Sequence, residues 1–366
     1  MRMGLLFHKI TALIFLMLVS VITSAQTKFT DNLSVSGNYH FGYSLPEYSV
    51  LSHTITENVQ SFDLSFHKER TGKDIYEQLY KYPQMGIALF YSSLGNENVY
   101  GHALAINYFF RLKLIAREKF SIYNRMGIGL GYITRKFDFE DNYLNVVIGS
   151  HFNVHFNFRL GSTFDLTKRI SINAGLSFDH YSNGNTNEPN IGLNLLTGFA
   201  GLNYLIGSRL ERIECEVPIY EHGHALEIFV SYGAKRVRTL NSGYNHTLSF
   251  ATEYNYFLSR FIHLGAGIDL FYDSSIRPNL IEAEEAVRST DNFQTGIHFS
   301  QTVVYRKFRF TLQEGVYVGL TNKIQSSMYN RGILKYYIND DFSVRLAMKS
   351  HLHLLDYPEI GFGYKF

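Results

Sequence analysis

The chain has 366 residues, 45% of them hydrophobic, with 30 Phe, 27 Tyr and 29 Gly but only 6 Pro and no Trp. Its 34 basic and 32 acidic side chains nearly cancel, and two of the basic ones, Arg2 and Lys9, lie in the first 25 residues, which excludes the basic footprint of a nucleic-acid partner. Past those residues no apolar run reaches the ~20 residues of a spanning helix, because the apolar side chains are dispersed by alternation.

Arg2 and Lys9, the apolar run Ile10 to Ile22, and Thr23-Ser24-Ala25 before Gln26 have the order of a secretory signal peptide, residues 1–25. No cysteine follows the apolar run, so a lipid anchor is not expected, and the single Cys215 has no internal partner for a disulfide. An exported, aromatic- and Gly-rich chain with alternating hydrophobicity predicts an all-β fold, a transmembrane antiparallel β-barrel of the outer-membrane type. Only helices and closed barrels satisfy their backbone in lipid.

Period-2 alternation and the turns between its runs predict strands near 33–44, 57–68, 84–93, 100–114, 119–133, 145–162, 170–182 and 191–206. A second set follows near 224–235, 245–257, 261–272, 293–305, 307–319, 330–338, 342–351 and 358–366, sixteen in all. Tight connections at Arg117-Glu118-Lys119, Asp165 to Arg169, Leu258 to Arg260, Tyr305-Arg306-Lys307 and Asn339-Asp340-Asp341 all follow even-numbered strands. Longer polar ones, such as Thr134 to Tyr143, Arg236 to Tyr244 and Asp273 to Asp291, follow odd strands, as expected of short periplasmic turns and long outer loops.

Two long connections, Glu69 to Pro83 and Ser208 to Gly223, fall on the periplasmic side of this scheme. The second divides a unit of residues 26–207 from one of residues 208–366, with eight strands each. Unbroken loop alternation, and a lone terminal strand of the aromatic-ending kind (Ile360 to Phe366), favour one barrel of about sixteen strands, with two eight-stranded units joined near Cys215 as the alternative. A faint likeness between Ile172–Tyr204 and Val344–Tyr364 suggests a tandem origin, although the second copy has His351 and His353 and no serine.

The stretch with chemistry is 178–194. Along the seventh strand Ile172, Ala174, Leu176 and Phe178 share one face, which His180 and Ser182 terminate. In a barrel that face meets lipid, where polar groups are costly and tend to be functional. A base and a nucleophile two apart, with Asn194 brought back beside His180 by the loop from Asn183 to Asn190, match a serine esterase: His180 as general base, Ser182 as nucleophile, Asn194 as orienting residue. Backbone amides near Asn183 and Gly184, with the Asn183 side chain, are the expected oxyanion donors.

His180-Tyr181-Ser182-Asn183 followed by Pro189-Asn190-Ile191-Gly192 resembles the signature of PagL-type lipid A 3-O-deacylases, an acyloxyacyl hydrolase-like family. The resemblance spans roughly residues 30–206. It implies an eight-stranded barrel whose His-x-Ser pair ends the seventh strand on the lipid-facing surface, acting on lipid A of lipopolysaccharide in the outer leaflet of a Gram-negative outer membrane. Where that family has a Glu, this chain has Asn194, and Glu188 lies in the loop out of register. The set His180, Ser182, Asn183, Gly184 and Asn194 also resembles outer-membrane phospholipase A, whose third member is an Asn. The deacylase resemblance implies no cofactor; the phospholipase one would add calcium. A homodimer stays open, and a channel or surface-binding barrel without catalysis is the rival from another class.

The remaining features have plainer readings. Gly127-Ile128-Gly129-Leu130-Gly131 has no following helix and suits a barrel wall. Asp138 to Asp141 and Glu282 to Glu285 read as solvated outer loops, and His40, His151, His155, His263 and His298 as lumen or interface residues.

Overall fold

The computed structural model describes residues 30–236, 243–319, 326–351 and 354–366. The expected signal peptide, residues 1–25, and His353 lie outside them. Sixteen strands form: β1 (Leu33–Leu45), β2 (Val59–Glu69), β3 (Gln84–Ser93), β4 (His102–Ala116), β5 (Phe120–Ile133), β6 (Phe152–Asp165), β7 (Ile170–Ser182), β8 (Leu193–Leu205), β9 (Gly223–Lys235), β10 (Asn245–Phe257), β11 (Ile262–Asp273), β12 (Phe293–Tyr305), β13 (Phe308–Tyr317), β14 (Met328–Tyr337), β15 (Phe342–His351) and β16 (Leu354–Lys365). Short helices α1 (Ile75–Leu79) and α2 (Ile276–Glu282) sit in connections.

The expectation of one sixteen-stranded barrel is overturned. β1 pairs with β8 and β16 pairs with β9, so the strands close as two eight-stranded antiparallel barrels. The loop alternation that favoured one barrel is the same in either arrangement. What decides between them is which distant edges meet, Ser34 opposite Leu205 in the first barrel and Glu359 opposite Gly233 in the second.

The two connections that fitted poorly join or separate the barrels. The stretch from Ser208 lies in the linker between β8 and β9, residues 206–222. The Glu69–Pro83 connection carries α1, capped by Asp74, whose side chain accepts the Glu77 N–H. Glu77 accepts from Gly72 and Lys73 N–H and from Arg306 of the β12–β13 turn, and Asp74 also pairs with Arg306. Tyr80 donates to the Val304 carbonyl at 2.7 Å, and its ring packs on Phe110, Phe261 and Tyr305. The β2–β3 connection of the first barrel thus docks on the second.

Alternation sets the faces of each barrel. On β7 the even positions Ile172 and Leu176 are exposed to the lipid side, while Asn173, Ser177, Asp179 and Tyr181 are buried in the lumen. The lumen is filled by charge-paired side chains. Asp63 accepts from Arg159 at 2.7 Å and from Asn38 at 3.1 Å, contacts His40 at 2.9 Å, and lies 3.8 Å from Arg125. His155 bonds Asp179 at 2.9 Å and Asn107 at 2.9 Å. In the second barrel His298 lies between Asp269 and Glu253, and Arg331 between Asp269 and Glu359. Paired charges thus occupy the described lumens of both barrels.

Because Asp63 is the shared counter-ion of two buried guanidiniums, Asp63→Ala strands both. Removing one partner of a buried ion pair costs about 3–5 kcal/mol. The expected result is a lowered urea midpoint for the refolded protein in detergent, read as loss of the heat-modifiable gel band; an unchanged midpoint would show that the lumen cluster is not structural.

Candidate active site

The lipid-facing surface of β7 ends in His180, opposite Asn194 in the β7–β8 ladder. That register places the two side chains on one face of adjacent strands, and His180 Nδ1 lies 2.6 Å from Asn194 Oδ1. The other end of the same amide fixes its orientation: Asn194 Nδ2 donates to Glu47 Oε2 at 3.4 Å. A carboxylate only accepts, so the NH₂ group faces Glu47 and the oxygen faces the imidazole. Nδ1 therefore carries the proton, and Nε2 is left as the basic nitrogen.

Glu47 was invisible to sequence reasoning. It lies in the β1–β2 connection, 147 residues from Asn194, and reaches the site only because β1 closes the barrel against β8, with Leu45 opposite Asn194. The carboxylate absent from position 194 is thus supplied one residue further back. Glu47→Gln is expected to lower kcat about 3- to 10-fold with little change in KM, since a charge that stabilises the imidazolium through one intervening amide acts mainly in the transition state. Kinetics on purified protein check this; a raised KM at constant kcat would assign Glu47 to substrate binding.

Ser182, the last residue of β7, is buried beneath the loop. The bond to His180 expected from their spacing is not among those this arrangement makes. Instead Asn190 Nδ2 donates to Ser182 Oγ at 3.0 Å, Ser182 Oγ lies 3.3 Å from Asn190 Oδ1, and Gly184 N–H donates to Ser182 Oγ at 3.3 Å. The Asn183 N–H donates to Asn190 Oδ1 at 2.9 Å, and the Asn183 side chain donates to the Asn187 carbonyl at 2.8 Å. The two expected oxyanion amides are therefore engaged within the loop, and Asn190 is the side chain with a donor at Ser182 Oγ. Sequence reasoning placed Asn190 in the motif and gave it no role; its signal was the Pro189-Asn190 pair in a loop returning to His180.

Two glycines permit this packing. Gly192 has φ +90°, and a Cβ there would stand 2.8 Å from His180 Cε1, so the chain passes directly over the imidazole. Gly184 has φ +69° at the turn after Ser182. Ile191 and Gly192 N–H groups both donate to the Val147 carbonyl, tying the loop to the β5–β6 connection. Glu188 stays in the loop: it accepts from Asn190 N–H at 3.2 Å, and burial there pushes its carboxyl up from the usual carboxylate range.

Among the described residues the second barrel shows no equivalent His–Asn pair beside a serine. His351 sits on the face of β15 shared with buried Lys349 and Ala347 and bonds Tyr317 Oη at 2.9 Å. Cys215, in the linker, is exposed and contacts the Gly72 carbonyl. Among the described residues no group of three or more His, Cys, Asp or Glu is placed to hold a metal ion.

Residues 60–203 match the family model described as lipid A 3-O-deacylase (PagL), and residues 224–366 match that of the acyloxyacyl hydrolase C-terminal domain. No curated protein matches the chain. Among solved structures, the outer membrane enzyme PagL is similar at 14% identity and TM-score 0.31, covering 46% of this chain and 97% of its own. Neisserial surface protein A is similar at 10% identity and TM-score 0.34, covering 48% of this chain and 97% of its own. A mutant of the monoaromatic hydrocarbon channel TodX covers 94% of this chain and 93% of its own at 9% identity and TM-score 0.19. At these scores the structural neighbours carry no argument about the site. The family matches, on a lipid-faced β-barrel architecture, identify an outer-membrane β-barrel protein of the PagL-type hydrolases, the deacylase domain forming its first barrel and the acyloxyacyl hydrolase C-terminal domain its second.

Proposed function

We propose that the first barrel is a serine esterase that removes an ester-linked acyl chain from lipid A, with residues 26–207 as the catalytic unit and residues 208–366 as its companion. The observation that carries this reading is the His180–Asn194 bond at the outer, lipid-facing end of β7, two residues from Ser182. No lumen residue meets a lipid substrate, whereas this pair lies where an acyl chain in the outer leaflet runs alongside the wall. Residues 1–25 supply the export signal under this reading.

In the reaction, Ser182 Oγ leaves Asn190 and attacks the ester carbonyl carbon while its proton passes to His180 Nε2. Asn194 Oδ1 holds the Nδ1–H of the resulting imidazolium, with Glu47 behind it. The negative charge on the former carbonyl oxygen is met by Asn190 Nδ2, freed from the serine, with the Gly184 N–H beside it. As the tetrahedral intermediate collapses, His180 returns the proton to the departing sugar oxygen, leaving an acyl-serine. A water deprotonated by His180 then attacks the acyl carbon, the proton returns to Ser182 Oγ, and a fatty acid is released.

The test is mass spectrometry of lipid A and phospholipids from outer membranes holding the wild-type chain or Ser182→Ala. Loss of one hydroxyacyl group from lipid A only with Ser182 present supports the deacylase. Lysophospholipid in its place, dependent on calcium and abolished by EDTA, moves the enzyme to the phospholipase class that the Asn third member also suits. No difference in either pool with both proteins folded overturns the esterase reading. A homodimer is tested separately by crosslinking in the membrane.

A further inference from the structure

The loop that covers Ser182 is held from outside by the second barrel. Asn185, at φ +59°, donates from Nδ2 to the carbonyls of Leu355 at 2.7 Å and Asp356 at 3.1 Å, 170 and 171 residues away. Its own carbonyl accepts the Arg236 N–H, at the end of β9, at 3.1 Å. Pro358 lies at van der Waals distance from the position a Gly184 side chain would occupy.

The β15–β16 tip is built to offer those acceptors. Lys349 pairs with Tyr357 and Ser350 with Leu355, so Asp356 is an extra residue bulged out of the ladder. β9 pairs with β16 only from Glu359 onward, and Pro358 has no N–H, so this end of β16 is left unzipped from its neighbour. The bulge is pinned from the lumen side: Asp356 bonds Lys235 at 2.5 Å and Lys349 at 3.3 Å, and Lys235 also bonds Asp273 at 2.7 Å.

From Asn185 the connection continues inward. Asn185 Oδ1 accepts from Asn190 Nδ2 at 2.9 Å, the same NH₂ group that donates to Ser182 Oγ. A run of hydrogen bonds therefore links the bulge of the second barrel, through one asparagine, to the amide that lies on the nucleophile. Such a run holds Asn190 only as firmly as the bulge holds Asn185.

We propose that the second barrel is a positioning partner for the active site of the first, and that Asn185 is the positioning residue through which it acts. This deepens the esterase reading and rests on it. It assigns the second barrel a role at the site of the first: it fixes the orientation of Asn190 for the developing oxyanion.

The experiment compares the full-length wild type, Ser182→Ala, Asn185→Asp and Asn185→Gly, refolded in detergent with lipid A. Both Asn185 variants keep access to the left-handed backbone. Asp retains the acceptor for Asn190 and loses the donor to the second barrel; Gly loses both. Expected are a fall in kcat of about tenfold or more in both variants with KM within about twofold of wild type, and slower labelling of Ser182 by a fluorophosphonate, because a misplaced catalytic group costs rate rather than binding. Wild-type kcat in folded Asn185→Asp, with Ser182→Ala inactive, overturns the inter-barrel link alone. Full activity in Ser182→Ala overturns the esterase reading instead.

Discussion

Ser182→Ala is expected to lower lipid A deacylation by about 10⁴-fold or more while leaving both barrels folded, since removing the nucleophile of a serine triad abolishes the covalent route. The side chain lost is small, and the Asn183 N–H keeps its acceptor on Asn190, so the loop retains most of its bonds. The heat-modifiable gel band should therefore be unchanged. What disappears is the group that attacks the ester and, with it, phosphonate labelling of the protein. A variant that keeps even a tenth of the activity would place the nucleophile elsewhere. Calcium rescue of residual hydrolysis would direct attention to a metal-assisted water and away from an acyl-serine.

Asn190→Ala is expected to cost about 10²- to 10³-fold in kcat, the range for losing one side-chain oxyanion donor. The residue has two separable jobs. Its oxygen accepts the Asn183 N–H at 2.9 Å, which shapes the loop, and its nitrogen donates to Ser182 Oγ at 3.0 Å and Asn185 Oδ1 at 2.9 Å. Asn190→Asp keeps the first and loses the second, and it adds a charge beside the forming oxyanion. If Asn190 works as a donor, Asp is no better than Ala and is expected to be worse. If it works only by shaping the loop, Asp restores most of the activity. Steady-state kcat for the two variants, with circular dichroism to confirm the barrels, separates these cases.

Both expectations depend on how two barrels share one site. The proposed catalytic face of β7 belongs to the first, yet the loop over it is tied at Asn185 to the β15–β16 tip and at Ile191 and Gly192 to the β5–β6 connection. A substrate reaching Ser182 must move Asn190, and the second barrel sets how far it can move. The docking of α1 on the β12–β13 turn at the opposite end of the barrels limits the same relative motion from below.

Local pattern was enough for much of this. Each strand alternates between two solvents, lipid outside and a polar lumen inside, so the period-2 signal written into 170–182 or 262–273 specifies both the strand and its faces. The lipid-side position of His180 and its pairing with Asn194 follow from that alternation and the length of one hairpin, because they depend only on near neighbours in the chain. Barrel closure did not follow. Whether β8 zips to β1 or continues to β9 depends on edges separated by more than a hundred residues, and the alternating pattern is equally satisfied by both. Glu47 behind Asn194 and Asn185 against Leu355 exist only once those distant edges have met, since a side-chain contact across barrels leaves no periodicity in either strand. The sequence by itself determined an outer-membrane barrel with an esterase-like pair on its lipid face; the tertiary structure alone decided that there are two barrels and that the second holds the loop of the first.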